Sequence, residues 1–428
     1  MFGFTAASIQ CAFVDIAADL HVSVQRASYL VSLFIAILGG APLFWRPLSH
    51  TYGRRPVFLL SIIGTLAGNI GCAVSHSFAT MALCRAIAAF FISPAGSLGG
   101  AVVSELFFRR ERGRYMGVWM MMVMLGVPIS PLIFGFVAQR VGYRWIYWIL
   151  AMANAAHLIV YFLFGAETRY DAETASLRPR RVGFWRSLLD FHQISPQRPR
   201  LIDFVQPFKF SMSACVALAS AAHAMIFLWA SIMVSLETPQ IFPEKFNLNT
   251  QQVGMQNIAI VIGTLLGEQL GGFASDKWML YRERRIAKQP QAEFRLWLSY
   301  PGFALSICGV VVYLVQLGKA SNKWNVTPLI GSGIASAGNQ IVSAVLVTYA
   351  IDCYPLEASS VSVFVNFVRQ TWGFIGPFWF PQMIEKIGFN NSAIVASVMM
   401  LAVSVLPTVL LQFKGYSWRP QSKVAAYG

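Results

Sequence analysis

The sequence predicts an all-α polytopic membrane protein. Roughly a dozen apolar runs, each near the ~20 residues that a helix needs to cross a bilayer, alternate with short polar connectors. Of 428 residues, 56% are hydrophobic and only 12% charged, which is too apolar for a soluble chain of this length. In lipid every backbone amide needs an internal partner, so repeated spans of this kind must be helices.

The spans fall in order at 2–18, 27–45, 57–75, 79–107, 115–138 and 145–165, then at 210–236, 253–275, 296–318, 326–351, 359–384 and 391–413. Their grouping predicts a six-helix bundle over 1–165, a polar central loop over 166–209, a second six-helix bundle over 210–413 and a tail over 414–428. The first span offers barely a dozen apolar residues before Asp15. Crossing the core would take roughly 10–15 residues more, so a first helix truncated at its N-terminus is expected.

Charge gives the orientation. Connectors after even-numbered spans, with the tail, hold 24 of the 33 Lys and Arg. That asymmetry predicts a cytoplasmic central loop and C-terminus. The same basic clusters serve topology and lipid-headgroup contact. A net charge of +15 does not point to nucleic acid, because no basic face interleaved with aromatics is present. The six cysteines stand alone without a C-x-x-C spacing and read as small buried hydrophobes. No Walker-type phosphate loop or H-E-x-x-H spacing occurs, so neither direct ATP drive nor a metal is indicated, and no cofactor is expected.

A weak internal repeat links the two groups of spans. Pro131 and Gly142 match Pro377 and Gly388 at an offset of 246 residues, and Glu105 and Asp352 close spans four and ten at nearly the same offset. Arg46-Pro-Leu-Ser-His50 after span two is echoed by Gly272-Phe-Ala-Ser-Asp276 after span eight. Duplicated halves with a site near the midplane are a common transporter plan.

These loops carry a family resemblance. Pro47-Leu-Ser-His50-Thr-Tyr-Gly53-Arg54-Arg55-Pro56 resembles the inter-helix signature of the major facilitator superfamily, G-x-x-x-D-x-x-G-R-R. Arg85-Ala-Ile-Ala-Ala is similar to its fourth-helix arginine motif, and Gly126-Val-Pro128-Ile-Ser-Pro131-Leu-Ile-Phe-Gly135 to its fifth-helix antiporter motif. Arg144-Trp145, Glu167-Thr168-Arg169 and Gly267-Glu268-Gln269-Leu270-Gly271-Gly272 extend the match over nearly the whole chain, which looks most like the fungal twelve-helix drug:proton antiporter group. Four departures stand out: Arg46 and His50 replace the glycine and aspartate of the loop signature, and Ser130 and Phe134 replace glycines of the fifth-helix motif. Phe134 cannot pack as glycine would.

Ionised groups inside spans each cost ~2.5–3.5 kcal/mol at a helix centre, which makes them functional candidates. The resemblance implies that Arg85 sits in a central cavity and takes part in proton coupling; a structural or snorkelling arginine is the alternative. Glu268 is the acid well inside span eight, where burial would favour its protonated form and suit it to proton exchange. A helix-packing contact is its alternative. Arg369, beside Asn366 and Gln370 in span eleven, fits either substrate contact or structural pairing. His223, Asn339 and Gln340 fall at midplane depth, and the resemblance puts spans one, four, seven and ten around the cavity; interhelical hydrogen bonds would also account for them. Asp15 faces either the outer vestibule or solvent at a helix end.

The expectation is therefore a major facilitator fold of two pseudo-symmetric six-helix bundles, with no enzymatic activity. The function expected is proton-coupled export of a small organic molecule by alternating access. Proton-linked uptake of an organic cation or nutrient, and a non-transporting membrane sensor, are the alternatives. The partners expected are the substrate, protons and lipid, not nucleic acid, in a monomer of the plasma membrane rather than the vacuole.

Overall fold

The computed structural model describes residues 1–106, 109–165, 167–168, 200–286 and 292–419. Among them, nine helices are long and apolar enough to cross a membrane. The sequence candidates in 169–199 and 420–428, and the side chains of Glu105 and Asp276, lie outside what is described.

The chain divides into two compact units. Unit 1 holds Met1–Gln206 and Pro239–Asn257; unit 2 holds Pro207–Thr238 and Ile258–Gly428. The second unit thus receives span seven only as far as Thr238.

Unit 1 opens with α1 (Phe2–Ala7), a 3-10 turn at Gln10–Ala12 and α2 (Phe13–Asp19), so the first span is helical but interrupted. Then come α3 (Val24–Tyr52), α4 (Arg54–Val74), α5 (Phe78–Ser97), α6 (Gly99–Leu106), α7 (Arg109–Val141), α8 (Arg144–Phe164) and the short α9 (Leu201–Val205). Span four, read as one run over 79–107, is split at Leu98 between α5 and α6. Ser23 and Ser77 cap α3 and α5 by accepting backbone N–H groups three residues on. Phe34 and Leu38 of α3 pack on Ala88, Ala89 and Ile92 of α5. The Trp45 indole donates to the Phe90 carbonyl at 2.8 Å, which satisfies a buried polar atom on an apolar face.

Unit 2 contains α10 (Ala214–Ile226), which runs through a π-helical turn at Phe227–Met233 into α11 (Val234–Phe246). Span seven therefore continues well past the expected boundary at Leu236. The segment α12 (Thr250–Met255), which belongs to unit 1, precedes α13 (Asn257–Ile286). The rest is α14 (Ser299–Lys319), α15 (Thr327–Cys353), α16 (Ala358–Ile375), α17 (Phe380–Met400), a second π turn at Leu401–Val405 and α18 (Leu406–Trp418).

In unit 2, α14 packs closely on α15. A Cβ on Gly309 would come within 2.2 Å of the Ala335 backbone, and one on Gly338 within 2.4 Å of the Ser306 backbone. Only residues without side chains permit this approach, the arrangement expected where helices associate in lipid through packing rather than through exclusion of water.

The internal repeat is visible in the backbone. Gly142 and Gly388, 246 residues apart, both take positive φ, at +91° and +76°. The left-handed residues His21 and Asn247 each stand two positions before a helix-capping side chain, Ser23 and Asn249.

Candidate functional site

In unit 1 the site residues converge on α1. Its last carbonyls have no partner within the helix and carry its negative dipole end. Arg85, on α5 and 1% exposed, meets them: Nη1 donates to the Thr5 carbonyl and Nη2 to that of Ala6, both at 3.3 Å. Its guanidinium also lies 4.6 Å from the centroid of the Phe34 ring. The charge of Arg85 is thus met by dipoles and a π face.

The fifth-helix motif packs against the same short helix. A Cβ on Gly3 would stand 2.9 Å from the Gly126 backbone. Ser130 Oγ donates to the Phe4 carbonyl at 2.8 Å, and the Phe134 ring meets Phe4 edge-on. Both departures from the motif therefore have partners in α1. Gly135 faces α12, where its Cβ would come 3.1 Å from the Thr250 carbonyl. Pro128 and Pro131 lie within α7 between these contacts. Asp15 of α2 accepts a 2.7 Å hydrogen bond from the Thr250 hydroxyl, so it is tied down rather than merely solvated.

Near the end of α2, Asp19 accepts from the Tyr143 hydroxyl at 2.5 Å and from Arg144 at 2.8 Å. The Tyr143 hydrogen bond first, and the Arg144 hydrogen bond second, hold the Asp19 carboxyl below its usual value.

The loop signature is an N-cap built at long range. Gly53 turns the chain at φ +96°, and the two oxygens of Glu167 accept the backbone N–H groups of Arg54 and Arg55, each at 2.9 Å. Arg54 reaches the Ser49 hydroxyl at 2.7 Å and Arg55 the Phe162 carbonyl at 3.1 Å. His50 is exposed in the last turn of α3. An acid thus meets the start of α4 despite the missing signature aspartate, and it arrives from the end of α8.

In unit 2, α15 collects the polar candidates. Gly267 lets α13 approach so closely that its Cβ would meet the Ala337 carbonyl at 2.4 Å. That brings Glu268 to Gln340, whose amide donates to the carboxylate at 3.2 Å; Asn339 donates to Gln340 at 3.2 Å in turn. Three residues past Gln340, Ser343 holds His223 of α10 at 2.8 Å. Arg369 donates to Asn366 at 2.9 Å with its guanidinium over the Phe227 ring, one helical turn past His223. Gln370 is buried, and its side-chain oxygen has no hydrogen-bond partner.

A buried acid in span seven escaped the sequence reading. Glu237 is 1% exposed within α11. It opens the polar string Glu-Thr-Pro-Gln, which reads as a connector, and only the continuation of the helix to Phe246 reveals its burial.

The sequence profile of the Major Facilitator Superfamily matches residues 1–377. This chain belongs to that superfamily. The chain is 25% identical over 394 residues to the efflux pump radE of Floropilus chiversii, covering 90% of this chain and 72% of radE. It is 24% identical over 409 residues to the MFS-type transporter hepF of Aspergillus oryzae, covering 94% and 83%. A transporter of Schizosaccharomyces pombe matches over 444 residues at 24% identity, covering all of this chain and 88% of the relative. As a major facilitator protein the chain is a multi-pass membrane transporter of small molecules, not an enzyme.

Proposed function

We propose that this major facilitator protein exports a small organic molecule, drug-like or a secondary metabolite, in exchange for protons. The observation that carries the reading is Glu268: an acid within a membrane helix whose carboxylate is held by a neutral amide. Such a group can gain and lose a proton without breaking an ion pair, so its charge is free to follow the conformational cycle. Further support comes from the resemblance to the antiporter motif, from the name of radE as an efflux pump, and from buried Arg85.

In this reading the halves 1–165 and 210–413 rock around a site near the midplane, with 166–209 and 414–428 in the cytoplasm of a monomer in the plasma membrane. Asn339, Gln340, His223, Asn366, Arg369 and Gln370 supply the polar contacts to substrate. Acid-loaded everted vesicles test it: export moves substrate and protons in opposite directions. Movement in the same direction would mean uptake, and substrate flux that ignores the gradient would remove proton coupling.

A further inference from the structure

Glu237 is buried to 1% exposure, and its Oε1 has no hydrogen-bond partner. No cation forms an ion pair with it among the described residues. The two hydroxyls of the adjoining Thr238–Tyr313 contact are already committed. Thr238 Oγ1 donates to the Val234 carbonyl at 2.7 Å, so the Tyr313 hydroxyl, 2.9 Å away, is the donor in its contact with Thr238. Through Thr238, the Tyr313 phenol of α14 is brought to the turn that carries Glu237. On the acid's own helix, Glu244 and Lys245 stand in the last turn. An ionised carboxylate enclosed without counter-ion or donor is strongly disfavoured, whereas a carboxylic acid is tolerated there.

The surrounding helix is weakened on both sides. The π turn at Phe227–Met233 ends one turn before Glu237. Pro239 follows two residues after it and cannot donate the bond that the Ser235 carbonyl would take. The chain passes from unit 2 into unit 1 between Thr238 and Pro239. Single π turns inside α-helices are found often at functional sites.

We propose that Glu237 is a proton-binding site that locks this turn of α11, holding a proton while the carboxyl is enclosed and releasing it when the turn opens to water. The proposal rests on the export reading only in assigning that proton to the coupling step.

The test uses the full chain in liposomes without substrate, so that a failure of the export reading is told apart from a failure here. Hydrogen–deuterium exchange of the peptide spanning 234–246, corrected for intrinsic rates, is compared at mildly acidic and mildly alkaline pH. In the wild type, protection is expected at acidic pH and lost at alkaline pH; Glu237→Gln keeps it at both. Infrared spectra should show a protonated-carboxyl band in the wild type that Glu237→Gln removes. An unchanged band, or pH-dependent exchange that survives in the glutamine variant, overturns the proposal. Should that variant fail to fold, the wild type still decides: protection that ignores pH overturns it.

Discussion

Gln340 holds Glu268 through one amide-to-carboxylate hydrogen bond of 3.2 Å. The neighbouring Asn339 steadies that amide from behind, and the glycine at 267 makes the approach possible. Neutralising the acid therefore removes a titratable charge while leaving the packing intact. Glu268→Gln is expected to leave surface expression unchanged and abolish substrate-dependent proton flux in vesicles. Unchanged flux would remove Glu268 from the coupling role.

Glu167 caps α4 from more than a hundred residues away in sequence. Two charge-assisted bonds to backbone N–H groups at a helix start make truncation costly, at about 1–2 kcal/mol. Glu167→Ala should lower the thermal unfolding midpoint of the detergent-purified protein. His50→Asp should recover part of that loss in the alanine background and add little to the wild type, where the helix start is already occupied. Equal gains in both backgrounds would mean that the two acids do not serve the same helix end.

The Asp19 cluster gives a pH signature of known sign. The folded-state value lies below the ordinary 3.8, so its stabilisation is fully present above that pH and fades as pH falls through the lower folded value. The side chain is 42% exposed, and solvent screening keeps the effect small. Asp19→Asn should lower the midpoint at neutral pH, with the gap to wild type closing in strong acid. A gap of constant size from neutral to acid would refute the linkage.

The glycine seam between α14 and α15 leaves no room for a side chain. Gly309→Val drives methyl groups into the Ala335 backbone and should cost about 1–3 kcal/mol or more. Thermostability followed by size-exclusion fluorescence reads it directly; an unshifted midpoint would show that the helices can part without penalty.

Much of this architecture was legible from hydropathy, because spans in lipid announce themselves by length and polarity. The glycines at 142 and 388 were found by spacing alone and both take a positive φ. Asn366 and Arg369, adjacent on one helix face, do pair. Long-range partners were not legible. Nothing in the string around Glu167 says which helix it caps, and the phenylalanine at 134 looked like a flaw until Phe4 supplied its partner. Glu237 was missed because a run of Glu, Thr, Pro and Gln reads as the end of a span, whereas the helix continues to Phe246.

The π turn at Phe227–Met233 has a consequence for chain length. A wide turn accommodates one surplus residue, so deleting a single position within it would restore ordinary winding and leave Glu237 on the same face, whereas a deletion in the regular helix between Val234 and Glu237 would rotate the carboxyl by about 100° around the axis. Natural variation should therefore tolerate the loss of one residue within Phe227–Met233 and conserve spacing strictly between Val234 and Glu237.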